Sequence, residues 1–309
     1  MDEAQGPPSS RFQRLEGWLG ARRAFLLLVL AGGSILLRFC FFLELRSSPC
    51  MRSHEWTQSD MHFFHEWAGA IASGDWLSDA EHHPLMDWQR ASAAAWFSRH
   101  PGERGSYGGP GVAEPERARR LWNEWFGGKR FHQEPLYVYL VALTYAALGP
   151  EPAWVFAWQM LLGVGVYLLV AVLARRYFGE VAGAAAGLLV LFFAPLLFYE
   201  LQLVRTTLTA FVGLGLVWAI DRAARLGTGR AWAWAGLASG LALLCQTTFA
   251  PLVLGAAALL AARGRREGGR ELLRRGALLA AGVAVAISPA VVRNLGGAFR
   301  RSAWPASAR

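Results

Sequence analysis

The feature that most constrains this chain is the alternation of long apolar runs with short arginine clusters. About 20 apolar residues in a helix, at ~1.5 Å each, match the ~30 Å hydrocarbon core of a bilayer. Inside that core every backbone N–H and C=O must be satisfied within the segment, so such runs form helices. Charged residues make up only 17% of the chain and hydrophobic ones 54%. That balance excludes an ordinary soluble globular domain. The expected fold is all-α and integral to a membrane.

The runs can be placed in order. The first span covers residues 24–45 and is preceded by Arg11, Arg14, Arg22 and Arg23. Residues 46–135 form a polar loop with all seven histidines, and with 12 Asp/Glu against 10 Lys/Arg. PLYVYLVALTYAALG, residues 135–149, reaches only about 20 Å, which predicts a non-spanning helix at the outer surface, with a short tilted span as the alternative. Spans follow over 153–174, 181–198 and 206–220, with a polar break at 199–205. Residues 232–262 are too long for one span and basic at both ends, which predicts two short crossings turning near Gln246, Thr247 and Thr248. The last span is 277–292.

Arginine bookkeeping then orients the chain. If 135–149 does not cross, the N-terminal cluster, 175–176, 222–230 and 263–275 all fall on one side, as the positive-inside rule requires. The result is about seven transmembrane helices and a long outer first loop carrying interfacial helices. Residues 1–23 read as a cytoplasmic tail, 24–295 as the transmembrane module with its outer loop at 46–152, and 296–309 as an irregular tail. The 199–205 break and everything after Val292 fall outside.

The net charge of +9 does not point to nucleic acid. Lys129 is the one lysine, and the arginines flank spans rather than forming a stripe interleaved with stacking aromatics. Cys40 and Cys245 lie in apolar runs and Cys50 just past the first, so no disulfide framework is implied.

Three polar sets share the outer side. In SDMHFFHEWAGAIASGDW, Phe63, Phe64, Trp67, Ala68 and Ile71 recur at helical spacing, which predicts an amphipathic helix lying on the membrane. Asp60 at its start is either an N-cap or a functional carboxylate. Glu200 and Arg205 stand in FYELQLVRTTL, as interfacial anchors or as site residues. Arg293 and Asn294 follow the last span, and a guanidinium there suits phosphate oxygens. Two carboxylates and an arginine at a membrane face suit sugar transfer from a lipid-linked phosphate. A carboxylate takes the acceptor proton, a cation meets the leaving phosphate, and apolar spans hold the lipid. His62 and His65, with His82, His83 and His132, form no HExxH pattern, so no metal is expected.

These pieces, in this order, resemble the GT-C fold membrane glycosyltransferases of the polyprenyl-phosphate-sugar-dependent, protein-mannosyltransferase-like branch. The carriers are ILLRFCFFLEL with its internal Arg38, SDMHFFHEWAGAIASGDW, FHQEPLYVYLVALTYAALG, LARRYFGEVAGAAAGLLVLFFAPLLFYELQLVRTTL, GLASGLALLCQTTFAPLV and ISPAVVRN. The ordered set covers roughly residues 24–294. The resemblance implies Asp60 as catalytic base, Glu200 as a second outer acid and Arg293 as a contact for the donor phosphate. Asn294, Arg205, Glu134, Asp75 and His65 are further substrate-side candidates, with Asp75 beside Gly74 also reading as a helix stop. It implies a polyprenyl-phosphate-linked donor, an acceptor that is a glycan, lipid or protein, surrounding membrane lipid and no cofactor. The place is the inner cell membrane, with the active face periplasmic.

Three departures qualify the match. Gln246 stands where a basic residue is common, and the loop carries an extra stretch whose Gly/Pro-rich middle, residues 101–115, reads as flexible. LGGAFRRSAWPASAR follows the Arg-Asn motif where family members usually continue, so a C-terminally short member, or an inactive remnant, is an expectation too. A lipid or anion transporter or flippase is the other alternative. It needs ionisable residues inside spans, of which Arg38 is the clearest.

Overall fold

The structure, a computed structural model, describes residues 10–78, 86–126, 130–264 and 268–302. Helices dominate, and no strand occurs among the described residues. Four helices are long and apolar enough to cross a membrane: α2 (Arg23–Leu45), α7 (Pro152–Phe178), α10 (Thr206–Leu226) and, over Gly269–Gly296, α13 (Gly269–Ser302). The other helices are α1 (Arg11–Ala21), α3 (Asp60–Ala72), α4 (Asp87–Arg99), α5 (Glu114–Trp125), α6 (Leu136–Leu148), α8 (Glu180–Leu191), α9 (Ala194–Tyr199), α11 (Gly229–Cys245) and α12 (Ala250–Gly264). An all-α membrane protein is what the sequence predicts. The expected seven crossings are not seven long helices, because the remaining apolar segments are short.

Their shortness has local causes. The expected span at 181–198 breaks at Phe192 and Phe193 into α8 and α9, where Pro195 enters the first turn of α9. Proline lacks the N–H and crowds the preceding turn. The 232–262 run divides where predicted: α11 ends at Cys245, Gln246 is extended and Thr247–Phe249 is a 3-10 turn. α6 has 13 residues and stops at Gly149, whose φ of +91° favours glycine.

Close packing depends on small residues. At Gly236 and Gly240 of α11 an added Cβ would meet the backbone of α13 at Leu279 and Val283, and Gly282 returns the contact against Ala233. Backbone-to-backbone approach of this kind is how helices gain contact in lipid, where burial of apolar surface gives no advantage. Gly183 of α8 does the same against the backbone of Ala171 and Arg175 of α7, and Gly187 makes room for the Tyr167 ring. Outward faces remain apolar, as at Phe25, Leu28 and Leu36 on α2 and Leu161 on α7, which suits a lipid surround.

The long first loop differs from expectation in two ways. Phe63, Phe64, Trp67, Ala68 and Ile71 of α3 are indeed the buried face, but they pack against Tyr137, Val138, Val141, Ala142 and Tyr145 of α6 rather than lying on a membrane. The Gly/Pro-rich middle expected to be flexible is organised. It forms a 3-10 helix, Pro101–Tyr107, and a turn beneath α5. Buried Arg117 donates to the carbonyls of Arg104 at 2.8 Å, Gly108 at 2.6 Å and Val112 at 3.1 Å. A small core of Ala93, Phe97, Ala118 and Leu121 closes this α4–α5 hairpin.

Both ends also hold more structure than a tail. α1 is capped reciprocally by Ser10 and Gln13. Its Glu16 accepts from the backbone N–H groups of Glu180 at 2.8 Å and Val181 at 3.0 Å, satisfying the free donors at the start of α8. At the other end α13 continues to Ser302, through the point where an irregular tail was expected from 296.

Candidate active site

The break between α9 and α10 organises the polar interior. Leu201, Gln202 and Leu203 are buried in a turn between the regular helices, where carbonyls that no helix satisfies need partners. Gln159 of α7 supplies them, its amide donating to the carbonyls of Glu200 at 3.0 Å and Gln202 at 2.8 Å. Tyr137 donates to the Gln159 side-chain oxygen at 3.2 Å. The Gln202 amide reaches the Cys50 carbonyl at 3.2 Å, tying the break to the 3-10 helix Pro49–Glu55 that precedes α3.

Glu200 is not the outer-surface acid that was expected. Its side chain and that of Arg38 are each 1% exposed, and Arg38 Nε lies 2.8 Å from Oε2. Nη2 donates to Oε1 at 2.9 Å, whereas the Nε leg lacks hydrogen-bond geometry and is a charge contact. Nη1 of Arg38 is occupied by Ser34, through its hydroxyl and its carbonyl. Gly163 on α7 makes room, since a Cβ there would overlap the Glu200 carboxylate. The pair therefore locks α2 to the break, against the face of α7 at Gly163.

Arg205, at the far end of the same break, meets different company. It forms an ion pair with Glu134, just before α6, in which the side chains remain 28% and 16% exposed. The other Glu134 oxygen accepts from the Thr247 backbone N–H and hydroxyl, each at 2.8 Å. Burial alone would raise the Glu134 carboxyl. The Thr247 hydrogen bonds and Arg205 outweigh it and hold the group below the usual carboxylate range. Three separate turns are thus joined at one end of the bundle: the entry to α6, the entry to α10 and the α11–α12 turn.

Asp60 is the first residue of α3, and the cap is its neighbour. Ser59 accepts from the His62 N–H at 3.0 Å. The N-cap reading therefore belongs to Ser59. The Asp60 carboxylate is exposed and makes no hydrogen bond or ion pair among the described residues. Ser59 also donates to the Ser53 carbonyl at 2.7 Å, within the segment that Gln202 grips at Cys50. A continuous set of hydrogen bonds thus runs from the start of α3 to the 199–205 break. His65, one turn on, has Nδ1 2.8 Å from the Tyr145 hydroxyl. Burial, then neighbouring His54, lowers its pKa below 6.5.

Arg293 and Asn294 staple α13 to the long first loop. Arg293 donates to the carbonyls of Leu77, at 2.7 Å, and Ser78, and its guanidinium lies 4.2 Å above the Phe131 ring. The Asn294 side-chain oxygen accepts from the Phe131 N–H and from Arg293, both at 3.1 Å. Beside them Trp76, Phe131, Tyr139, Leu244, Pro289 and Arg293 line a cavity of about 280 Å³. Asp75 belongs to this neighbourhood, since it directly precedes Trp76, whose carbonyl accepts from the Tyr139 hydroxyl at 2.7 Å. The Asp75 backbone N–H also closes the end of α3 on Ala70, after Gly74 at φ +121°, as a helix stop should. Among the described residues no set of three or more His, Cys, Asp or Glu side chains could hold a metal, and His82 and His83 lie outside those residues.

A family model described as dolichyl-phosphate-mannose-protein mannosyltransferase matches residues 132–292, just over half of the chain. The chain belongs to this family. Comparison with curated proteins and with solved structures gives no match. The mannosyltransferase-family match contains Glu134, Glu200, Arg205 and Thr247. Asp60, His65 and Asp75 precede it, and Arg293 and Asn294 follow it directly. Membership makes the chain a member of a membrane glycosyltransferase family. Sequence reasoning missed Thr247 as a site residue and Gln159 as the buried organiser. The polar triplet Gln246, Thr247 and Thr248 inside an apolar run was the available signal for the first.

Proposed function

We propose that this protein transfers a sugar from a polyprenyl-phosphate-linked donor to an acceptor hydroxyl at the extracytoplasmic face of the inner cell membrane. The observation that carries the reading is the meeting of Glu134, Arg205 and Thr247 at the end of the bundle to which Asp60 is tied, within a chain of this family. Asp60 serves as the base and takes the proton of the acceptor hydroxyl. The hydroxyl oxygen bonds to the anomeric carbon as the bond to the phosphate oxygen breaks. Arg205, positioned by Glu134, offsets the charge gathering on the departing lipid phosphate.

The remaining candidates support these groups. Glu200 is a positioning residue, acting through Arg38 and the fold of the break. Arg293, already engaged with Leu77 and Ser78, shapes the 280 Å³ cavity wall, and Asn294 and Asp75 stand next to its lining residues Arg293 and Trp76. His65 orients α3 against Tyr145.

Asp60→Asn keeps the size and exposure of the side chain and removes its basicity. The expected loss is roughly 10²–10⁴-fold in transfer, in membranes supplied with lipid-linked sugar, with thermal stability unchanged. Transfer at the wild-type rate would remove Asp60 as the base.

A further inference from the structure

Between α7, α10 and α11 a groove of about 950 Å³ runs from Phe211 and Leu241 to Arg222, Leu226 and Arg230, which lie at the opposite end of the bundle from Glu134 and Arg205. α10 measures the separation: it begins just after Arg205, and Arg222 follows about 25 Å along its axis at ~1.5 Å per residue. The walls are apolar, with Phe211, Gly215, Trp218 and Trp234 among them, and Arg222 and Arg230 stand at the mouth.

Several neighbouring arginines are paired with carboxylates. Arg176 and Arg225 both pair with Asp221, at 2.8 and 2.9 Å. Arg175 pairs with Glu180 at 3.3 Å, and Arg274 and Arg275 with Glu271, each at 2.8 Å. Among the described residues Arg222 and Arg230 have no carboxylate partner, and Arg222 lies 5.6 Å over the Trp218 ring. Trp218 and Trp234 are 37% and 59% exposed, as indoles are at the headgroup level.

A soluble anion has no use for a long apolar groove, and an uncharged lipid has no use for two unpaired cations. Both features together fit a lipid with an anionic phosphate headgroup. The geometry points to a binding site for an anionic phospholipid of the arginine-rich leaflet. Arg222 and Arg230 hold its phosphate, and an acyl chain lies along Phe211, Gly215 and Trp234. This site is separate from the candidate active site and stands whether or not Asp60 is the base.

The test uses the full chain in neutral detergent, with bound lipid counted by native mass spectrometry. The probes are dioleoylphosphatidylglycerol, dioleoylphosphatidylcholine and inorganic phosphate. Phosphatidylglycerol should bind saturably and about tenfold or more tighter than phosphatidylcholine, and inorganic phosphate should not displace it. Arg222→Gln with Arg230→Gln should weaken phosphatidylglycerol roughly 30-fold, from about 1 kcal/mol per arginine, and leave phosphatidylcholine unchanged. Gly215→Leu should abolish binding of both lipids, because its side chain enters open groove, with no atom within 4 Å of an added Cβ. Exposed Arg270→Gln should change neither. Equal binding of the two lipids, displacement by phosphate alone, or wild-type phosphatidylglycerol binding in Gly215→Leu would overturn the proposal. Should the double arginine variant not fold, Gly215→Leu and the lipid comparison decide it.

Discussion

Glu200 and Arg205 stand five residues apart in one short break, yet their ion pairs are opposite in kind. Glu200 meets Arg38 where both side chains are 1% exposed, and it joins α2 to the break. Arg205 meets Glu134 where 28% and 16% of the side chains stay open, at the end where three turns converge. The first pair has no face left for a ligand. The second keeps a partly open cation whose position is fixed by a network. The difference separates a charge that holds the fold from a charge that can meet a substrate, although the sequence offers both as polar residues at a span boundary.

The sharpest way to break this comparison is to remove Glu200. Glu200→Ala leaves the Arg38 charge buried without its counter-ion, an expected cost of about 3–5 kcal/mol. The thermal midpoint of the purified protein should fall steeply, and transfer should fall with it. Arg38→Met combined with Glu200→Leu removes both charges and should recover most of the stability. If Glu200→Ala were as stable as wild type but inactive, Glu200 would be a reacting group after all.

Arg205→Ala should give the reverse pattern. Hydrogen bonds to charged groups are worth about 1.5–3 kcal/mol, so KM for the lipid-linked donor should rise roughly 10- to 100-fold. A partly exposed ion pair contributes little to folding, and the thermal midpoint should move by no more than about 1 kcal/mol of stability. Arg205→Lys should restore part of the affinity and fall short of wild type, since lysine is a point charge without the planar fork. An unchanged donor KM with a large loss of stability would place Arg205 alongside Arg38 as a fold-holding charge.

What the sequence could and could not show follows from the same contrast. Hydropathy reads along one helix at a time. It therefore located the four long apolar helices, the short α6, the Gln246 turn and even the five buried residues of α3, though not the break of 181–198 into α8 and α9. It could not say what the apolar face of α3 covers, because a membrane surface and α6 are equally apolar. Nor could it pair Glu200 with Arg38, which lies 162 positions earlier in the chain. The order of Gly-rich segments hints that helices approach closely, but not that Gly163 leaves room for a carboxylate. Arg117 shows the limit most clearly. Four loop carbonyls within reach of one buried guanidinium turn a Gly/Pro-rich stretch into an ordered one, and composition carries no trace of that.

The smallest effect sharpens the comparison through pH. Glu134 is held below its ordinary value of 4.5 in the folded protein, so as acid is added the unfolded chain takes up this proton first. The stabilisation from its network is fully present above about 4.5 and is lost as pH falls through the lower folded value. His65 behaves likewise from a higher starting point. Burial and His54 lower it below 6.5, so its contribution is complete above 6.5 and is lost as pH falls from there through its folded value. Unfolding midpoints measured from pH 8 to pH 3 should therefore separate the two by difference curves. His65→Gln should diverge from wild type beginning near 6.5, and Glu134→Gln should change shape only below about 4.5. Because the Glu134 network includes Arg205, its acid-side loss should also appear as weaker donor binding. The His65 arm should move stability with little effect on donor affinity. If donor affinity instead followed the His65 arm and ignored Glu134, the substrate-facing charge would have to be sought on α3 rather than at the entry to α10.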